Sequence, residues 1–237
     1  MHTCLCPDLH QGRMPLPEDE ALHVVRVLRM GEGDRVRLID GHGSHALGTL
    51  VDVGKRKASV TIEEVHHEET RPQGLTLLVA PTKATDRFEW LLEKATELGV
   101  EAIVPVWTQR SERRVDKHER WTKVLVAATK QCQRLWMPTL AKAEPLQNAL
   151  ARLTKEVPLA VAHCMEELSN APDRTSWVDW QRSHHQAVLA IGPEGDFTPE
   201  EVGAMVDLGA QPVHLGSLRL RTETAGMAAV AQFGREG

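Results

Sequence analysis

The sequence predicts an α/β protein in which a small β-barrel precedes a larger domain built on a parallel sheet. Three observations carry this expectation. Apolar runs in the first quarter are short and strand-like and are divided by glycine turns. A polar stretch with Pro72 and Gly74 then interrupts the chain near residues 68–74. From Leu75 onward, apolar strands alternate with segments of helical period, which implies a parallel sheet covered on both faces.

In chain order, Asp19 to Met30 spaces Leu22, Val24, Val25, Val27 and Leu28 as a short helix that Gly31 ends. Arg35–Ile39, Gly48–Val53 and Ala58–Ile62 read as strands joined by the Asp40-Gly41 and Gly54-Lys55 turns. The linker follows, so the expected domains are 1–70 and 74–237. In the second, Leu75–Ala80 is a strand and Asp86–Gly99 a helix. Phe88, Leu91, Leu92, Ala95 and Leu98 recur there at helical spacing, Asp86 and Glu89 are placed to cap, and Gly99 is placed to stop it. Ala102–Trp107, Leu159–His163 and Val188–Gly192 are further buried strands, Pro212–Gly216 a shorter one, and residues 119–134, 199–208 and 222–233 are helices.

Composition narrows the function classes. With 237 residues, 41% of them hydrophobic and 26% charged, the chain can bury a sizeable core. No apolar run approaches the roughly 20 residues that span a bilayer, and the opening MHTCLCPDLHQGR lacks the basic flank and apolar stretch of a signal peptide. A cytoplasmic protein without membrane association is expected. Cys4, Cys6, Cys132 and Cys164 form no CxxC pair, and neither His66-His67 nor His184-His185 has a third ligand at metal-site spacing, so no metal is expected. The net charge of −5 argues against coating nucleic acid by overall charge. Locally, residues 21–57 carry seven Lys/Arg against four acids, and residues 110–134 eight against three. These stretches are either solvated faces or contacts for phosphates.

Two loops stand where the ligands of parallel sheets bind, after a strand and before a helix. Ile191-Gly-Pro-Glu-Gly-Asp-Phe-Thr-Pro-Glu-Glu ends in a helix start, with Thr198 as N-cap, Pro199 first in the helix and Glu201 completing a capping box. Leu215-Gly-Ser-Leu-Arg-Leu-Arg-Thr-Glu-Thr-Ala sets Arg219 and Arg221 beside a helix start with candidate capping hydroxyls, a place that favours an anionic group. Neither GxGxxG nor GxxxxGK[ST] is present, so the usual nucleotide cradles have no support.

Gly192-Pro-Glu-Gly followed by Leu-Gly-x-x-x-Leu-Arg-Thr-Glu-Thr-Ala resembles the SPOUT class of RNA methyltransferases. With His23-x-x-Arg-Val-Leu-Arg29, Lys83-x-x-Asp-Arg-x-Glu, Lys94-x-x-Glu97-Leu-Gly, Pro105-x-x-Thr-x-Arg-Ser111 and Gln131-x-x-Arg134-x-x-x-Pro138, the chain from about residue 20 to 233 resembles the RsmE-type ribosomal RNA (uracil-N3)-methyltransferases. The resemblance implies a PUA-like N-terminal barrel for RNA, a C-terminal α/β domain with a deep trefoil knot, and a homodimer. It implies S-adenosylmethionine as cofactor, and small-subunit (16S) ribosomal RNA or the assembled 30S subunit as partner. Carried over, Gly192, Pro193, Glu194 and Gly195 line one side of the cofactor pocket. Leu215, Gly216, Leu218, Arg219 and Leu220 wrap the adenosine, and Thr224 is grouped with them. Arg26, Arg29, Lys83, Arg87, Arg110 and Arg134 are the candidate RNA contacts. Asp196 departs from the family's second glycine, Gly226 from its larger small residue, and the first dozen residues from its Arg-Phe-Phe-like opening.

Uridine N3 is a poor nucleophile while it keeps its proton. Arg221 is the first candidate to stabilise the resulting anion, because guanidinium offers two parallel hydrogen bonds to the flanking carbonyl oxygens. Glu223 is the candidate base, or the orienting partner of an arginine. The competing readings are a related knotted methyltransferase acting on transfer RNA or a ribose hydroxyl, and a noncatalytic RNA-binding protein that kept the fold.

Overall fold

A computed structural model describes residues 1–69, 74–154, 156–164 and 174–233. The chain divides into two units, Met1–Arg71 with Val126–Met137, and Pro72–Leu125 with Pro138–Gly237. Most of the linker expected at 68–74 lies outside the described residues.

In the first unit, β1 (Thr3–Leu5), β2 (Gly12–Pro15), β3 (Arg35–Ile39), β4 (Ser44–Val51) and β5 (Ser59–His67) form one sheet in the order β1-β3-β4-β5-β2. Only β1 and β3 run parallel. Alternation sends Val36 and Leu38, Ala46 and Leu50, and Val60 and Ile62 into a core shared with Cys4, Cys6, Met14 and Val24. The expected Gly48–Val53 strand instead starts at Ser44 and stops at Val51, because Asp52 takes a left-handed φ of 50°. Gly48 sits at a register shift, where a Cβ would fall 2.9 Å from Leu38 Cδ1. The helix expected from Asp19 to Met30 is α-helical only as α1 (Glu18–Leu22) and continues as a π-helical turn, His23–Val27.

The second unit contains β6 (Leu75–Val79), α2 (Thr85–Leu98) and β7 (Ala102–Trp107), and the start of α3 (His118–Cys132), whose residues from Val126 group with the first unit. It continues through β8 (Thr139–Leu140), β9 (Glu144–Pro145), α4 (Leu146–Ala151), β10 (Leu159–Ala162), β11 (Thr175–Ser176), α5 (Trp177–Gln181), β12 (Ala187–Ile191), α6 (Pro199–Asp207), β13 (Gln211–His214) and α7 (Thr222–Gln232). The strands run β11-β13-β10-β12-β6-β7-β8, with β9 also on β7, and every pairing is parallel. Two apolar clusters cover the two faces. One holds Leu75, Leu77, Leu189 and Ile191 with α2 and α7; the other holds Leu78, Val188 and Ala190 with α4 and α6.

Helix ends follow local chemistry. Gly99, at φ 101°, closes α2 while Val100 N–H reaches the Ala95 carbonyl at 2.9 Å. Asp86 does not cap; α2 begins one residue earlier behind Ala84, whose side chain has nothing to donate or accept. Gly226 lets α7 approach α2, since a Cβ there would lie 2.7 Å from Leu91 Cδ1. The capping box on α6 forms as expected: Thr198 N–H donates to Glu201 Oε2 at 2.9 Å and Glu201 N–H to Thr198 Oγ1 at 3.3 Å. The buried Glu201 also accepts from Gln109 N–H at 2.8 Å. Glu201→Ala therefore strands two N–H donors and is expected to cost about 2–4 kcal/mol at about 1–2 kcal/mol per donor. Thr198→Ala loses only the cap, about 1 kcal/mol. Urea unfolding of the two variants checks that order.

Candidate active site

Strands β13, β10 and β12 lie side by side, so their carboxyl ends, at His214, Ala162 and Ile191, open onto one place. Described residues at and beyond those ends line a cavity of about 330 Å³, within the size range of small-molecule sites. Gly192, Pro193 and Glu194 line it from β12, and Leu215, Gly216, Leu218, Arg219, Leu220 and Arg221 from β13. The two motif loops, far apart in sequence, thus share one wall. Gly195 and Thr224, grouped with these residues on sequence grounds, are not on the lining.

Hydrogen bonds between the loops set the cavity's shape. Thr222 Oγ1–H donates to the Gly192 carbonyl at 2.9 Å. That hydroxyl does not cap α7, whose N-cap is Arg221 with no side-chain bond, so the capping expected of Thr222 is corrected. A Cβ at Gly192 would be tight, 3.0 Å from Phe197 N and 3.1 Å from Asp196 C, so the Asp196–Phe197 backbone would have to give. Arg110 donates to the Gly195 and Phe197 carbonyls at 2.8 and 3.1 Å. Glu194 Oε1 accepts from Lys83 N–H at 3.0 Å, and its carbonyl accepts from Arg219 at 3.4 Å. Asp196 explains its own departure from the family. Its φ of 62° is the left-handed conformation that glycine adopts freely and aspartate tolerates. Its carboxylate accepts from Phe197 N–H at 2.8 Å and from Cys164 N–H at 2.7 Å, which joins the β12 loop to the β10 end.

The β10 side supplies His163, Cys164 and Arg174, which are not among the site residues expected from the sequence. Arg174 donates to the His163 carbonyl at 2.8 Å. His163 is 4% exposed and neither ring nitrogen has a hydrogen-bond partner among the described residues. Burial lowers its pKa below the usual 6.5, Arg174 adds to the effect and Asp196 opposes it. The unfolded chain therefore binds this proton more readily, so stability is fully present above pH 6.5 and falls as the pH drops from there toward the folded value. His2 and His45 are shifted the same way, chiefly by burial. Thermal melts should thus move to lower temperature on acidification below pH 6.5, and less so in His163→Phe.

The remaining candidates are distributed. Arg221 is exposed at the cavity and pairs with no carboxylate among the described residues. Glu223 is buried and off the lining, with Oε1 3.8 Å from Arg87 Nε and Oε2 without a hydrogen-bond partner among the described residues. Lys83 is exposed and pairs with Glu112 at 2.7 Å. In the first unit, Arg26 and Arg29 are exposed and Arg134 is half-buried.

Two glycine-bearing loops and two arginines thus meet at one cavity beyond the strand ends of a parallel α/β sheet, the place where such sheets bind ligands. Residues 69–234 match the family of RNA methyltransferase domains, and residues 16–63 match the family of RNA methyltransferase PUA domains. The chain belongs to the ribosomal RNA small subunit methyltransferase E family. It is 32% identical to the ribosomal RNA small subunit methyltransferase E of Rickettsia conorii, covering 93% of this chain and 89% of that one. Among solved structures, a probable rRNA-methyltransferase from Porphyromonas gingivalis is similar with a TM-score of 0.87 and 36% identity, over 97% of this chain and 95% of that one. A ribosomal RNA small subunit methyltransferase E from Neisseria gonorrhoeae, solved bound to S-adenosyl methionine, is similar with a TM-score of 0.82 and 28% identity, over 98% and 95%.

Proposed function

We propose that the protein transfers the methyl group of S-adenosylmethionine to N3 of a uridine in small-subunit ribosomal RNA. The observation that carries this reading is the single cavity walled by both the Gly192–Glu194 and the Leu215–Arg221 loops. The residues present suit the cofactor. Leu215 and Leu220 offer apolar walls for a nucleoside, and the orphaned nitrogens of His163 offer a donor and an acceptor for its hydroxyls. Arg174, Arg219 and Asp196 bring both charge signs to an amino-acid end that carries both. When bound, the cofactor supplies an electrophilic methyl on a sulfonium.

The chain's own residues then position and polarise the acceptor. Arg221, without a carboxylate partner, meets the negative charge that spreads onto the uracil oxygens as N3 loses its proton. Glu223, buried and paired with Arg87, orients that arginine rather than touching the base, the second of the two roles expected for it. Arg110 holds the Gly195–Phe197 backbone in place, so its part in RNA binding is indirect. Arg26, Arg29, Arg134, Lys83 and Arg87 contact phosphates of the 16S RNA or the assembled 30S subunit. In this reading residues 1–70 form the RNA-binding PUA-like domain and residues 74–237 the knotted methyltransferase domain of a cytoplasmic homodimer. No helix among the described residues is long and apolar enough to cross a membrane.

Titration calorimetry with S-adenosylmethionine tests the cofactor site. Wild type is expected to bind one equivalent. Gly192→Ala, whose methyl presses on the Asp196–Phe197 backbone, is expected to bind at least about tenfold more weakly, a loss of about 1.4 kcal/mol. Absence of binding by the wild type would overturn the reading.

A further inference from the structure

We propose that the first unit binds one zinc ion between His2, Cys4 and Glu20. Strand β1 turns Cys4 fully inward, and His2, two residues earlier, shares that face. Glu20 projects from α1 toward both. The His2 nitrogen, the Cys4 sulfur and a Glu20 carboxylate oxygen all lie within 4.8 Å of one another, and among the described residues this is the only such group of three.

Two features mark the cluster as a site rather than a chance meeting. His2 Nε2 and Glu20 Oε2 are buried, 4.0 Å apart, and neither has a hydrogen-bond partner among the described residues. Facing orphans of this kind are costly in a folded interior unless something satisfies both. The other carboxylate oxygen is already fixed: Glu20 Oε1 accepts from Lys130 Nζ at 2.7 Å and from Leu5 N–H at 3.2 Å. Outer hydrogen bonds that hold one oxygen and leave the other open are how ligating carboxylates are oriented. The His2 ring is in turn stacked on His23, with centroids 5.0 Å apart.

The donor set selects the ion. One thiol, one imidazole and one carboxylate suit borderline-soft zinc and do not suit calcium or magnesium, which take oxygen ligands. Zinc bonds of about 2.0–2.3 Å in a tetrahedron place ligand atoms roughly 3.3–3.8 Å apart, so the present spread closes by about an ångström. On binding, the Cys4 S–H bond breaks, its proton passes to solvent, and the sulfur–zinc bond forms; water takes the fourth position. Thiolate and carboxylate then balance the ion's two charges, while Lys130, partly exposed, keeps its hold on the far oxygen. The consequence is a tie between β1 and α1.

The test uses the full chain, stripped with chelator and titrated with cobalt(II) as the spectroscopic probe. One equivalent is expected to produce the near-ultraviolet charge-transfer band of a thiolate–cobalt bond, which one equivalent of zinc then removes. Zinc is also expected to raise the melting temperature. His2→Ala, at a partly exposed position, is expected to keep the native circular dichroism and lose both the band and the zinc-dependent rise. Cys4→Ser is expected to lose the band. The His45–His66 pair, at 5.3 Å, holds no thiol and cannot produce that band. A wild type without it, or a band that persists unchanged in folded His2→Ala, would overturn the proposal.

Discussion

Arg221→Ala is expected to lower single-turnover methyl transfer to small ribosomal subunits by about 10²–10³-fold, the loss that follows removal of one preorganised donor facing a developing anion. Calorimetric cofactor affinity should change little. Arg221 stands apart from the other charged groups around the cavity. Arg110 and Arg219 donate to loop carbonyls, Arg174 to the His163 carbonyl, and Arg87 approaches Glu223. Arg221 pairs with no carboxylate among the described residues and is exposed, so its charge remains available to a substrate. Arg221→Lys should recover part of the rate, since it keeps the charge and loses the paired planar donors. Rapid quench at saturating subunits separates these outcomes; an unchanged rate in Arg221→Ala would remove it from the chemistry.

Trp177→Ala is expected to destabilise the protein by about 3–5 kcal/mol, the usual cost of deleting a buried tryptophan side chain. Trp177 is fully buried, and its indole N–H donates to the Ala229 carbonyl of α7 at 3.2 Å. Its ring stacks against Trp180 and Phe233, with centroids 5.5 and 5.9 Å away. It therefore ties α5 to the helix that follows the Leu215–Arg221 loop. A loss of this size is a large share of the 5–15 kcal/mol of a typical domain. Guanidinium unfolding should show it clearly, and Trp177→Phe should lose much less. A shift under about 1 kcal/mol would place Trp177 outside the core that supports α7.

The strongly periodic elements were legible in the sequence. Residues 75–107 repeat apolar side chains at strand spacing and then at helix spacing, and the structure follows them to within a residue or two. The Thr198-Pro-Glu-Glu start of α6 is written wholly in local chemistry. Elements set by tertiary contact were not legible. Strands β8, β9 and β11 have two residues each, too few to show a period, and Trp177 opens a five-residue helix. Residues 126–137 read as the end of a helix and loop of the second domain. Gly43, however, accepts Trp136 so closely that a Cβ would sit 2.5 Å from its ring, and these residues group with the first unit.

At the candidate site the two loops that line the cavity stand out in the sequence because glycine, proline and paired arginines mark them. His163 and Arg174 were not, since a lone histidine after an apolar strand usually marks nothing. Asp196 was noticed only as a departure, and its positive φ shows why glycine and aspartate both serve there. The expectation of no metal rested on ligand spacing along the chain. His2, Cys4 and Glu20 meet only through the packing of a strand against a helix.

The most direct test of the proposed reaction is to incubate the protein with methyl-labelled S-adenosylmethionine and small ribosomal subunits lacking the modification, digest the RNA, and identify the labelled nucleoside by mass and chromatography. One labelled product per subunit, 3-methyluridine, is expected, about tenfold less with Gly192→Ala at limiting cofactor and strongly reduced with Arg221→Ala. Label on a ribose hydroxyl or on another base, or no label while the cofactor is bound, would contradict it.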